Sequence, residues 1–192
     1  MRTLRSSLMM LLVMTVITGI AYPLLVTALS QVVFPRAANG SLVTSGGKTV
    51  GSELVGQAFT SPRYFWSRPS ATSPFPYNAA ASSGANLGPT NQALLDRVQK
   101  EVARLREAHP GSTGPIPADL VTTSGSGLDP EISPAAAYFQ VQRVATARGA
   151  SPEAVRRVVD EHLHGRDLGF LGEPRVNVLL LNLALDETFP VH

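Results

Sequence analysis

The chain contains no cysteine. That absence excludes a disulfide scaffold, thiolate zinc sites, iron–sulfur clusters, a thiol nucleophile and a lipid anchor attached through Cys. Charge is scarce as well. Only 16% of the 192 residues are Asp, Glu, Lys or Arg, against roughly 25% in ordinary soluble domains. Sixteen basic side chains face fourteen acidic ones, a formal surplus of +2. Neutralising a phosphate backbone takes several cations, one per contact, so a nucleic-acid partner is excluded.

What the chain has instead is one long apolar run. No charge falls between Arg5 and Arg36, and Leu8–Phe34 reads LMMLLVMTVITGIAYPLLVTALSQVVF. About twenty residues of helix cross a hydrocarbon core, and helix is the conformation that satisfies its own backbone in lipid. Pro23 removes one donor, so the spacing predicts a kink there. Thr15, Gly19 and Tyr22 share a face at helical spacing, and small residues at 15 and 19 allow close approach of another membrane helix. A cleaved signal peptide is the rival reading, with Ala28-Leu29-Ser30 as its cleavage site. Its apolar core would normally run only about 7–15 residues, which favours a retained anchor.

Arg2 and Arg5 cluster ahead of the span, which places the N-terminus in the cytoplasm. They also account for the whole surplus: without them, fourteen basic and fourteen acidic residues remain. The expected organisation is a cytoplasmic N-terminus over residues 1–7, a transmembrane helix over 8–34 and an extracytoplasmic domain over 35–192. Membrane lipid is then one partner.

Within that domain, residues 41–55 read as two short strands around Ser45-Gly46-Gly47. Residues 57–90 lack helical period but carry Tyr64, Phe65, Trp66, Phe75 and Tyr77, which predicts an ordered irregular segment packed on the domain. Leu94, Leu95, Val98, Val102 and Leu105 form a helical stripe, capped by Thr90 or Asn91 and ended by Pro110-Gly111. Ser133-Pro134 starts a second helix that stops at Gly149. Ser151-Pro152 starts a third, expected to end at Gly165 after His164. The run 176–186 is open between helix, capped by Asn177, and strand. The fold class is therefore α/β or α+β, anchored by one N-terminal helix.

Two catalytic patterns fail on inspection. Gly47-Lys48-Thr49 resembles the end of a phosphate-binding loop, but Leu42 stands where the first Gly belongs and strand follows, not helix. Ser124-Gly125-Ser126-Gly127 is close to a nucleophile elbow, but Ser124 replaces the leading Gly. Of the histidines, the pair His162/His164 reads as helix-end residues that complement the dipole, His109 ends another helix before Pro110, and His192 is terminal. No metal or catalytic set is assigned. The class alternative is a membrane-anchored hydrolase or binding protein using Ser126 and a histidine.

The ordered polar segments carry a resemblance. Thr18-Gly19-x-x-Tyr22-Pro23-Leu24-Leu25 and Asn39-Gly40-Ser41-Leu42 come first. Gly56-Gln57-x-Phe59, Tyr64-Phe65, Arg68-Pro69-Ser70-Ala71 and Pro76-Tyr77-Asn78 follow. Next are Asn86-Leu87-Gly88-Pro89-Thr90-Asn91, Asp119-Leu120-Val121-Thr122 and Ser124-Gly125-Ser126-Gly127-Leu128-Asp129. Ile132-Ser133-Pro134, Gln140, Arg143-Val144-Ala145, Arg148 and Leu181-Asn182-Leu183-Ala184-Leu185-Asp186 complete the series. Across almost the whole chain this resembles the C-subunit family of Kdp-type potassium-transporting ATPases, with Ser82-Ser83-Gly84-Ala85 departing from the family's Ser-Gly-Gly. The resemblance implies an accessory subunit in a bacterial inner membrane. Its partners would be a channel-like A subunit, a P-type ATPase B subunit and a small F subunit. It also implies a catalytic chaperone that raises the ATP affinity of the B subunit. ATP association is implied by the resemblance alone, since an outer domain is separated from cytoplasmic ATP, and no covalently bound cofactor is expected. The matching residues are candidate subunit-interface or family-motif positions.

Overall fold

The computed structural model describes residues 2–190, so His192 lies outside the described residues. The chain forms two compact units, one through Val50 and one from Gly51 onward.

The first unit is dominated by α1 (Arg2–Val16) and α2 (Tyr22–Val33), joined without a break by a π-helical turn over Ile17–Ala21. Together Arg2–Val33 make a 32-residue helix with mean hydropathy 2.2 in its most apolar stretch, long and apolar enough to cross a membrane. The sequence anticipated a kink at Pro23. Directly before it lies a π-turn, where the Tyr22 N–H reaches Ile17 O, five residues back. The wide turn loosens the ladder just before Pro23, which has no N–H to contribute. It also falls between Thr15 and Tyr22, so their shared face departs from strict 3.6-residue spacing. A Cβ at Gly19 would touch Thr15 Cγ2 at 3.9 Å, and the Thr18 hydroxyl donates to Met14 O at 2.7 Å. A short α3 (Pro35–Ala38) leads to a hairpin, β1 (Leu42–Ser45) and β2 (Lys48–Ser52). Gly46 and Gly47 both take left-handed backbone, φ 56° and 77°, as a tight two-residue hairpin turn requires. The Gly-Lys-Thr pattern therefore makes a turn and strand, not a phosphate cradle.

The second unit is α+β. Its sheet runs β3 (Glu131–Ile132), β5 (Arg175–Asn177), β4 (Leu163–His164), with both pairings antiparallel. Around it lie α4 (Gln92–Ala108), α5 (Pro134–Arg148), α6 (Pro152–Glu161) and α7 (Val178–Thr188). Phe65, Leu105, Val144, Val155, Val159, Val176, Leu181 and Leu185 fill one core. The caps are where the residues indicate: Asn91, Ser133, Ser151 and Asn177 each accept a backbone N–H of the first turn. Gly149 ends α5 at φ 64°.

Two expectations need correction. The third helix stops at Glu161, not at Gly165, because Leu163 and His164 pair with Val176 and Arg175 in the sheet. The histidine pair is thereby divided, with His162 at the helix end and His164 on β4. In the stripe of α4, Leu95 is exposed, and only Leu105 in the last turn is fully buried. The 176–186 ambiguity resolves as both: β5 ends at Asn177, whose side chain then caps α7.

Replacing Ser133 removes the acceptor for Ala136 N at 3.1 Å. Ser133→Ala should cost about 1 kcal/mol, read as a lower denaturation midpoint of the full chain by circular dichroism.

Candidate functional site

Residues 57–90 contain no strand and one 3₁₀ turn, Ala79–Ala81, so side chains must satisfy much of their backbone. The strongest attachment is at Phe65 and Trp66. Asn182, from α7, accepts from Phe65 N at 2.8 Å and donates to Phe65 O at 3.0 Å. Gln140, from α5, does the same for Trp66, at 2.8 and 3.1 Å. Each primary amide imitates a strand partner for one residue.

Arginines fix the flanks. Arg143 is 8% exposed. It donates to Pro62 O at 2.6 Å, Tyr64 O at 3.0 Å, Gln140 Oε1 at 2.7 Å and His109 Nε2 at 3.0 Å. Its guanidinium also lies over the Trp66 ring at 4.1 Å, with Arg104 at 4.6 Å from that ring. Burial, with Arg104 adding to it, pulls the Arg143 pKa down to about 10. Arg148 donates to Arg63 O, to the carbonyls of Leu185 in α7 and of Phe189 just past its end, and to Asp186. Tyr64 donates its hydroxyl to the same carboxylate and packs on Phe59, ring centroids 5.6 Å apart.

His109, dismissed above as a helix-end residue, is 5% exposed and belongs to this network. Its Nδ1 donates to Leu105 O at 2.7 Å while Nε2 accepts from Arg143. That assigns a neutral ring. Burial is the main cause of a pKa below the usual 6.5, opposed by the Leu105 bond and reinforced by Arg143 and Arg104.

A second knot gathers the motifs after Ser67. Arg68 pairs with Asp129 at 2.8 Å and with Thr123 O at 3.4 Å. Tyr77 donates its hydroxyl to Arg68 O, and burial pushes the phenol pKa up to about 12. Ser70 donates to Gly127 O at 2.7 Å and accepts from Tyr77 N at 2.9 Å. Asn78 donates to Ser73 O and caps the 3₁₀ turn. Ser83 N reaches Ser126 O, and Gly56 N reaches Leu128 O. Two glycines are obligatory here. A Cβ at Gly56 would meet Asp129 O and the Tyr77 ring at 2.5 Å, and one at Gly127, φ 67°, would meet Ser83 O at 2.7 Å.

The motif residues thus converge on two knots, while Asn86, Leu87, Gly88 and Asn91 stand apart at the start of α4. Asn86 and Leu87 line a cavity of about 230 Å³. Asn91 caps the helix and Gly88 O accepts from Asn91 N. Gln57, Phe59 and Pro69 line another of about 330 Å³ with Arg68 and Tyr77. Ser126 Oγ accepts from Leu128 N at 3.1 Å and lies 3.5 Å from Ser124 Oγ. His109 and His162 direct Nδ1 to the carbonyl four residues back. Among the described residues no hydrogen bond joins Ser126 to a histidine, and no three His, Asp or Glu form a metal-binding group. The sequence placed His109 at a helix end but gave no sign of its bond to Arg143. The legible signal for the knots was an amide inside an apolar helical run, Gln140 and Asn182.

Asn182→Ala would orphan both Phe65 backbone groups and should destabilise the full chain by about 2–4 kcal/mol, measured by chemical denaturation. The pH dependence has a definite sign. His109 is neutral in the fold and titrates lower there than when unfolded, so the unfolded chain binds the extra proton. Its contribution is complete above the unfolded value of 6.5 and is lost as pH falls from there through the folded pKa. The melting temperature should therefore drop below about pH 6.5, and His109→Gln should flatten that slope.

Comparison with known proteins points to one family over nearly the whole chain. The family model described as KdpC, the K+-transporting ATPase c chain, matches residues 4–187. A potassium-transporting ATPase KdpC subunit of Methylococcus capsulatus is 62% identical over 182 residues, 95% of this chain and 96% of its own. One of Sorangium cellulosum is 62% identical over 183 residues, with 95% and 96% covered. Another, of Herpetosiphon aurantiacus, is 57% identical over 188 residues, 97% of each chain. Both the apolar N-terminal helix and the folded unit fall within these matches, and the chain belongs to the KdpC family, the C subunits of potassium-transporting ATPases.

Proposed function

We propose that the chain is an accessory subunit of an ATP-driven potassium uptake pump, held in the bacterial inner membrane by Arg2–Val33. Family membership across residues 4–187 carries this reading. The N-terminus is cytoplasmic, as Arg2 and Arg5 direct, and the folded unit lies outside. The helix supplies one contact: Thr15 and Gly19 offer a low surface against which a span of the channel-like subunit packs. The outer unit supplies the other. Its buried Gln140, Asn182 and Arg143 hold residues 57–90 in place, and its contribution is a fixed surface and not a reacting group.

The subunit acts as a catalytic chaperone by stabilising the assembled pump, which raises the ATP affinity of the ATPase subunit without ATP touching the outer unit. Cytoplasmic nucleotide and an outer domain are separated by the bilayer, so the effect passes through subunit contacts. In mild detergent the tagged chain should recover the channel-like, ATPase and small subunits from potassium-limited cells. Pump assembled without it should show a raised KM for ATP. Recovery of no pump subunit, or an unchanged KM, would overturn the proposal.

A further inference from the structure

The loop between β4 and β5 presents a built apolar tip. Leu168 is 83% exposed, more than any other large apolar residue among those described, the membrane helix included. Phe170 and Leu171 beside it are 69% and 50% exposed. Water contact with three clustered apolar side chains is unfavourable and marks an interaction site.

The tip is rigid. Asp167 and Leu171 exchange two backbone hydrogen bonds, each 2.9 Å, and Gly169 N closes on Arg166 O at 3.1 Å. Leu168 adopts φ 53°, a conformation that costs a branched residue free energy and tends to persist where function uses it. Its base is pinned by ion pairs. Arg166 binds both oxygens of Glu173 at 3.0 and 2.8 Å, and Arg175 bridges Glu131 at 3.1 Å and Asp167 at 3.3 Å.

Those pairs also indicate what covers the tip. Each arginine of the loop is matched by a carboxylate, leaving no surplus cation to draw it to anionic headgroups. A preshaped, electrically self-satisfied knob suits a shaped apolar cleft better than a fluid bilayer. Pre-organisation of this kind lowers the cost of binding. We infer that Leu168, Phe170 and Leu171 form a docking knob that inserts into an apolar cleft on the extracytoplasmic side of a neighbouring pump subunit. The inference rests on the pump-subunit reading above and names its contact.

The test uses the full chain co-expressed with the other pump subunits. Phe170→Asp places a charge in the cleft. Leu168→Asn makes the tip polar while keeping a residue that tolerates left-handed backbone, so it decides the matter where the Asp variant folds poorly. Both should lower recovery of the partner subunits about tenfold or more at unchanged melting temperature and membrane insertion. A photo-crosslinking residue at 170 should label a pump subunit. Undiminished recovery with both variants, or crosslinks only to lipid or to a second copy of this chain, overturns the knob while leaving the pump reading intact. If the wild-type chain recovers no pump subunit, the pump reading fails first and the knob falls with it.

Discussion

Two primary amides hold the irregular segment of the second unit in place. Gln140 and Asn182 sit on different helices, yet each gives two hydrogen bonds to one of two consecutive residues, Phe65 and Trp66. A buried irregular chain has no ladder to satisfy its peptide groups. An amide, with an acceptor and two donors at fixed spacing, can take that place. Once Phe65 and Trp66 are fixed, Phe65 enters the core and the Trp66 ring becomes a platform for Arg143. Arg143 then secures Pro62 and Tyr64. Remove the amides and the peptide groups of Phe65 and Trp66 are left buried without partners.

The same arrangement lets a charge-poor protein bury a guanidinium without a carboxylate partner. Arg143 is compensated by two carbonyls, an amide oxygen and a neutral imidazole. Carbonyl dipoles stabilise the charge less than an acid would, and burial lowers its pKa accordingly. Arg148 and Arg68 follow the more usual rule, each with a partly exposed aspartate. The division is consistent: carboxylates stay at the edge of the knots, where water shares the desolvation cost.

Much of this fold could be read locally. Ser133-Pro134, Ser151-Pro152, Asn91 and Gly149 mark helix ends because capping depends on residues within one turn, and Gly46-Gly47 marks its hairpin for the same reason. The failures share a cause too. Helix α6 ends early because Leu163 finds Val176 across the sheet, a pairing no neighbour in sequence reveals. His109 does end α4, but its bond to Arg143, 34 residues away, left no local sign. The motif segments could be named one by one, but that Arg68, Ser70, Tyr77, Gly127 and Asp129 meet depends on separations of up to 61 residues. Local chemistry is written locally; the meeting of loops is not.

Arg143 and Arg104 both lie over the Trp66 ring, which meets the His109 ring edge-on at 6.0 Å. It is also the chain's only tryptophan. The protein therefore carries one natural optical probe, placed where loop, helices and buried charge meet. In the isolated chain its emission reports on the knot, so loosening of that point can be followed by light without adding a label.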